Sequence, residues 1–250
     1  MGHAALIAGS PGMLGAAILA ARACLRSGVG KLTCFCSEQA YPILQPAMPE
    51  AVFRIGELAD SLSQTDMSAF QSIGTGPGIG ISDRHIPWMA KIMALGKPMV
   101  LDADALTLMA RHRHLMNAIP ADSILTPHRK EFERLFGSHA SPVEAAGRYR
   151  CIIIMKGPNS RVVGPDGKTS VNRSGNPGMA TAGAGDVLTG MLTGLLARGY
   201  PPYDAARVGV FLHGLAGDAA ARETGMESLL AGDIVDHIGK AYLQVEAKME

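Results

Sequence analysis

Aromatic side chains, charge and cysteine are all scarce in this sequence. Phe, Tyr and Trp make up 5% of the 250 residues, with a single Trp. That argues against the stacking platforms on which single-stranded nucleic acids lie. Charged residues reach only 18%, and the net charge is +1 with acids and bases mixed along the chain. No basic stripe for a nucleic-acid backbone is present. The four cysteines, Cys24, Cys34, Cys36 and Cys151, form no Cys-x-x-Cys pair. They read as reduced, structural residues of a reducing compartment, with Cys34 and Cys36 on one face of a strand, rather than as metal ligands. No apolar run reaches the roughly 18 residues of a membrane span. Met1-Gly2-His3 leads straight into a strand-like run instead of a signal peptide. Neither nucleic acid nor membrane is an expected partner, and a cytoplasmic location is expected.

Apolar residues and glycine are abundant: 47% hydrophobic, with 30 Gly. The pattern predicts strands over 4–8, 32–36, 69–74, 99–101, 123–125 and 151–155. Helices are predicted over 13–27, 39–44, 85–95 and 105–111, and from Glu131 through Phe132, Leu135 and Phe136. Residues 138–148 read as a loop with one helical turn. Strands at 161–163 and 169–171 flank Pro165-Asp166-Gly167, a hairpin signal. Helices at 203–222 and 233–245 close the chain, with His213 a buried structural residue. Strand, helix, strand in repetition predicts parallel pairing. The fold class is therefore α/β: residues 1–250 as one three-layer α/β/α domain with a mostly parallel central sheet.

Five loops of unusual composition follow strands: Gly9 to Gly15, Thr75 to Gly80, Asp102 to Asp104, Thr126 to Glu131 and Lys156 to Ser160. In a parallel sheet such loops share one edge, where ligands bind. Several of their residues have two readings. Asp102 and Asp104 suit Mg²⁺ held through water, or the orientation of a catalytic group; one also suits a helix cap. Lys156 meets a phosphate as a point charge, or is a solvated strand-end lysine. His128 is a ligand contact or a hydrogen-bonded structural residue.

The chain is organised around Ser174 to Gly199. A loop of glycine and small residues runs through Gly183-Ala184-Gly185-Asp186 into an apolar stripe at Val187, Leu188, Met191, Leu192, Leu195 and Leu196. A helix start offers unpaired N–H groups and the positive end of the dipole, so it attracts anions. Asp186 is out of place there as a phosphate ligand, because a carboxylate repels phosphate. Taken alone the junction is either a capped tight turn or an anion hole with a base or metal partner beside it.

Six motifs in order decide between these readings. GMLGAAILAARACLRSGVGKLT, GPGIG, LDADALTL, ILTPHRKEF, IIIMKG and GNPGMATAGAGDVLTGMLTGLLARG resemble the ADP- or ATP-dependent NAD(P)H-hydrate dehydratases of the ribokinase-like superfamily, across nearly the whole chain. The resemblance implies a repair reaction: removal of water from the S-epimer of hydrated NADH or NADPH (NADHX, NADPHX), coupled to hydrolysis of ADP or ATP, with Mg²⁺. It implies Asp186 as the base in contact with substrate, and the Ala184 and Gly185 amides as the donors that stabilise the transferring phosphoryl group. Ala16, Gly78 and His128 match positions that contact the hydrated dinucleotide. Lys156, Gly157, Pro158, Asn159 and Ser160, with Gly183 and Gly185, match the adenine-nucleotide site. Asn176 shapes the phosphate loop. Asp102, Asp104 and Glu131 are weaker matches, to positions that hold the metal or stand behind its ligands. A homotetramer is implied, and an NAD(P)HX epimerase as a fused or separate partner; the abrupt start fits a domain excised from such a fusion. Arg129 stands where the family usually has proline. The alternative function is an ATP-dependent small-molecule kinase of the same superfamily.

Overall fold

A computed structural model describes residues 2–247. β1 (His3–Ile7) leads through α1 (Leu14–Arg26) to β2 (Lys31–Cys36), and α2 (Tyr41–Ala47) leads to β3 (Val52–Ile55). After α3 (Leu58–Gln64) come β4 (Ser72–Thr75), α4 (Ile86–Met93), β5 (Met99–Leu101), α5 (Ala103–Arg111), β6 (Ile124–Leu125), α6 (Arg129–Phe136), α7 (Pro142–Tyr149) and β7 (Ile152–Met155). The hairpin β8 (Arg161–Val163) and β9 (Thr169–Val171) precedes α8 (Ala184–Ala197), α9 (Pro202–Thr224) and α10 (Ala231–Glu246).

The strands form one sheet in the order β3-β2-β1-β4-β5-β6-β7-β8-β9. Pairing is parallel from β3 to β7 and antiparallel from β7 to β9. The chain winds outward from β1 to β3, then restarts at β4 on the other side of β1. The strand order therefore reverses between β1 and β4. Such a reversal opens a crevice at the carboxyl ends of the strands.

Alternate residues of each strand feed opposite layers. Ala4 and Leu6 of β1 pack with α1, whereas Ala5 and Ile7 join the cluster under α3 to α7. Ile152 and Ile154 of β7 pack against α8 and α9, and Ile153 faces the other way. Helix α8 is held hard against the sheet. Val187, Met191, Leu192 and Leu195 are fully buried, each contributing roughly 1.5–3 kcal/mol. A Cβ on Gly190 would lie 1.9 Å from the Ala20 carbonyl oxygen, so glycine is what lets α8 press onto α1. The start of α8 is thereby fixed at the sheet's carboxyl edge.

Two departures from the sequence reading appear here. Residues 142–149 form the helix α7, not a loop with one helical turn. Pro142 sits in its first turn and Ala145 and Ala146 supply the buried face, too short and small a stripe to show as periodicity. Helix α6 starts at Arg129 instead of Glu131, because His128 caps it. The elements β3 and α3 lie in a stretch to which the sequence reading assigned nothing. All four cysteines are free and buried, as expected. Burial pushes the thiols of Cys24 and Cys151 up to about 12 and that of Cys36 to about 11. Among the described residues no helix is long and apolar enough to cross a membrane.

Candidate active site

All five loops lie after strands of the parallel block, and hydrogen bonds from backbone amides tie them into one rim. The Gly9 amide donates to the Pro77 carbonyl (2.8 Å), joining the loops after β1 and β4 at the point of strand reversal. The Gly80 amide donates to Asp104 Oδ2 (2.8 Å), joining the loop after β4 to the start of α5. The Lys156 amide donates to the Pro127 carbonyl (2.9 Å), and His128 and Lys156 form an isolated parallel bridge. A Cβ on Gly76 would lie 1.8 Å from the Asp102 carbonyl oxygen, so only glycine lets these two loops meet.

At the centre of the rim is a buried ion pair. Asp102 is 1% exposed. Its Oδ1 accepts from Lys156 Nζ at 2.7 Å, and its Oδ2 accepts from Thr189 Oγ1 at 2.8 Å. Lys156 Nζ also lies 3.9 Å from Glu131 Oε2. Burial works against the Lys156 charge, but Asp102, Glu131 and Asp186 outweigh it and hold the ammonium pKa above the ordinary lysine value. Lys156 is thus a permanent cation at the end of β7, suited to a phosphate.

Helix α8 starts directly above this pair. Gly183 caps it in a left-handed conformation (φ 90°), and a Cβ there would come within 2.5 Å of Leu19. A Cβ on Gly185 would come within 3.4 Å of Lys156 Nζ and 3.7 Å of Asp102 Oδ2. Asp186 lies in the first turn, half-buried. Among the described residues its carboxylate has no hydrogen-bond or ion-pair partner. Burial, then the neighbouring Asp102 and Asp104 charges, push its pKa up to about 6, with Lys156 opposing in part. A carboxyl poised near neutrality beside amide donors and a lysine can remove a proton while an anion is held in place.

His128 and Glu131 form a reciprocal cap on α6. His128 Nδ1 accepts from the Glu131 amide (3.2 Å), and Glu131 Oε2 accepts from the His128 amide (2.8 Å). With Nδ1 accepting, a neutral His128 ring carries its proton on Nε2. Arg129, in the place of a proline, occupies the first turn of α6 and pairs with Glu133 at 2.9 Å. Ala16 and Gly78 meet: a Cβ on Gly78 would lie 3.1 Å from that of Ala16. Gly157, Pro158 and Asn159 form an exposed loop in which Asn159 takes φ 55°, and Ser160 Oγ donates back to the Gly157 carbonyl (3.0 Å). Asn176 caps a short 3-10 turn by accepting from the Gly178 amide at 3.1 Å.

The three acids suggested for a metal are not gathered. Asp102 faces α8, Asp104 is bound by Gly80, and Glu131 caps α6. Among the described residues no group of three or more His, Cys, Asp or Glu side chains is placed to hold a metal ion.

Three contributors escaped the sequence reading of the site. Thr189, one turn beyond Asp186, anchors Asp102; its signal is a hydroxyl inside an otherwise apolar helical stripe. Asp218 of α9 accepts from the Gly175 amide (2.9 Å) and Asn176 Nδ2 (3.0 Å), and so shapes the loop before α8. His213, read only as structural, lies against the Ala184 backbone, and burial pushes its pKa down to about 4, so it is neutral at the start of α8.

Comparison with known proteins fits this geometry. The profile of the NAD(P)H-hydrate dehydratase family matches residues 4–240. The chain belongs to that family. It is 36% identical over 249 residues to the ADP-dependent (S)-NAD(P)H-hydrate dehydratase of Neisseria meningitidis, covering 93% of this chain and 82% of that protein. It is 33% identical over 273 residues to the bifunctional NAD(P)H-hydrate repair enzyme Nnr of Moorella thermoacetica, covering 100% of this chain and 51% of that one. The chain thus spans about half the length of such bifunctional relatives. The ADP/ATP-dependent NAD(P)H-hydrate dehydratase of Bacillus subtilis, co-crystallised with ATP and Mg²⁺, superposes with a TM-score of 0.84 at 30% identity, covering 97% of this chain and 89% of that one. Arabidopsis thaliana ribokinase shares the fold alone, with a TM-score of 0.59 at 13% identity over 95% of this chain and 98% of its own. The fold of the chain is thus α/β and ribokinase-like, as its motifs implied.

Proposed function

We propose that this dehydratase-family chain restores NADH and NADPH from the S-epimers of their hydrates, NADHX and NADPHX, at the expense of ADP or ATP. The observation that carries the reading is Asp186: a carboxyl with no partner among the described residues, raised to about 6, at the start of α8 and next to the Lys156 cation. Hydroxide is a poor leaving group and phosphate a good one, which explains a kinase-like site in a lyase. Asp186 takes the proton of the ring hydroxyl. The freed oxygen attacks the terminal phosphorus of the nucleotide, and AMP (from ADP) or ADP (from ATP) leaves. The ring nitrogen then expels phosphate and the adjacent carbon loses a proton, restoring the double bond. The Ala184 and Gly185 amides and Lys156 offset the charge of the moving phosphoryl group.

His128, Ala16 and Gly78 are the proposed contacts to the hydrated dinucleotide, and residues 156–160 to the adenine nucleotide. Mg²⁺ fits here only as a nucleotide-borne ion, since both Asp102 oxygens are taken and Asp186 is the acid left open. Bound that way, it would neutralise phosphate charge. An epimerase, fused or separate, is the proposed partner, because about half of each bifunctional relative lies beyond the match. A cytoplasmic homotetramer completes the reading.

Absorbance of reduced nicotinamide tests it. Hydrated NADH, Mg²⁺ and either ADP or ATP should give a nucleotide-dependent rise that Asp186→Ala abolishes while nucleotide still binds. A stable phosphorylated product with no reduced nicotinamide would make the chain a kinase instead.

A further inference from the structure

The amino edge of the sheet, opposite the rim just described, holds a second concave surface. Two adjoining cavities of about 420 and 310 Å³ lie between the 3-10 segment Arg113–Ala118, the end of α6 and α7. They share Met116, Asn117, Arg148 and Tyr149, and so form one groove of small-molecule size.

The lining is built for an anion with a ring. Arg113 and Arg148 face the larger cavity, and Arg148 and Arg150 the smaller. None of the three arginines is ion-paired among the described residues, and Glu144 is the one acid on the lining. Arg113 donates to the Leu135 carbonyl, which fixes its guanidinium at the wall. Arg148 lies 5.4 Å above the Tyr149 ring. Planar guanidinium groups match phosphate oxygens two at a time. The rings of Phe136 and Tyr149, 5.6 Å apart and tilted by 49°, add an apolar wall.

The backbone marks the same place. Among the described residues, four other than glycine take left-handed conformations: Ala103 (φ 47°), Asn159 (55°), Asp122 (62°) and Arg150 (50°). Ala103 and Asn159 belong to active-site loops. Asp122 and Arg150 meet each other beside the groove, where the Asp122 amide donates to the Arg150 carbonyl at 2.8 Å. Arg150 caps the end of α7 in this conformation, which places its side chain at the groove.

We propose that the groove is a second ligand site that takes a nucleoside monophosphate. Arg113, Arg148 and Arg150 hold the phosphate, and the base lies against Phe136 and Tyr149. A nucleotide here is too far from Asp186 to take part in the chemistry. The strands β6 and β7 run from this groove to the loops that carry His128, Glu131 and Lys156.

Equilibrium dialysis of the full chain with labelled AMP tests this. The expected result is that the double variant Arg148→Glu, Arg150→Glu loses one equivalent of bound AMP, with affinity at least tenfold weaker, that Lys156→Ala keeps; AMP held at the proposed nucleotide site beside Lys156 is a separate equivalent that the double variant retains. This readout requires no turnover, so it stands or falls apart from the dehydratase reading. Both arginines are exposed, and an unchanged melting temperature confirms a folded variant; Arg148→Gln serves if the double variant unfolds. AMP binding identical in the charge-reversed and unaltered chains would overturn the site. Inorganic phosphate that displaces this AMP at equal concentration would overturn the nucleotide assignment, because the rings would then add nothing.

Discussion

The end of β5 and the start of α8 each present a carboxylate to the same cleft, and the fold treats the two in opposite ways. Asp102 is almost wholly buried, yet both its oxygens are engaged, by Lys156 and by Thr189. Asp186 is less buried and has no partner among the described residues, so its pKa climbs to about 6. Burial alone does not decide which acid becomes reactive. What decides it is whether the desolvated charge is compensated. Asp102 then supplies part of the field that makes Asp186 basic.

The largest effect should come from removing the uncompensated acid. Asp186→Asn is expected to lower kcat by roughly 10²–10⁴-fold, the usual contribution of a general base, while nucleotide affinity stays within a few-fold. In the unaltered chain kcat/KM for the proposed reaction should rise with pH through about 6, as Asp186 ionises. A pH profile flat from 5 to 8 would assign the proton transfer elsewhere.

Breaking the compensated acid comes next. Asp102→Asn leaves the Lys156 ammonium half-paired in a buried position, which should cost about 3 kcal/mol, read by urea unfolding. It should also move the acid limb of the kcat/KM profile below 6, since Asp102 is one of the charges that raise Asp186. A limb that stays in place would separate the two acids and undo the comparison.

The contrast between these acids also shows what a chain reveals before it folds. The place of Asp186 was legible because its signal is local: glycines, small residues and a misplaced acid lie within one turn of a helix start. The five loops were legible for a similar reason, as each follows a strand of a parallel sheet. Asp102 was seen as functional, but its partners were not. Lys156 is 54 residues away and Thr189 is 87 away, and no spacing rule links them. Asp218, 42 residues from Asn176, was invisible for the same reason. The expectation of Asp102, Asp104 and Glu131 as metal-site acids came from the family resemblance and, for the two aspartates, from their place at a strand end, whereas folding sets Asp102 and Glu131 on either side of Lys156 and Asp104 against the Gly80 amide. Helix α7 was missed because two alanines make its buried face, and β3 because an edge strand shows solvent much of its surface.

A smaller change tests how Asp102 is held. Thr189→Val keeps the shape and removes one donor to a charged acceptor, a bond worth about 1.5–3 kcal/mol. Because Lys156 still pairs with Asp102, the loss should fall at the low end, and kcat should change less than it does in Asp102→Asn. Equal effects of the two substitutions on kcat would make the hydroxyl, not the ion pair, the feature that sets the site.

The smallest effect runs in the opposite direction from the others. A carboxyl whose pKa is raised by folding stabilises the native state fully only below its unfolded value. From about 4 to about 6 the unfolded chain ionises while the folded one resists, so stability falls over that window and stays lower above it. Asp186→Asn removes the ionisation. At pH 8 the variant should therefore be more stable than the natural chain, by about 1–2 kcal/mol after discounting for the water that reaches a half-buried side chain. Near pH 4 the difference should vanish. Unfolding curves at the two pH values measure it directly. If the variant is no more stable at pH 8, Asp186 is compensated after all, and the distinction between the two acids rests on position alone; a gain that appears only at the higher pH ties the lost stability to the same uncompensated charge that makes the group a base.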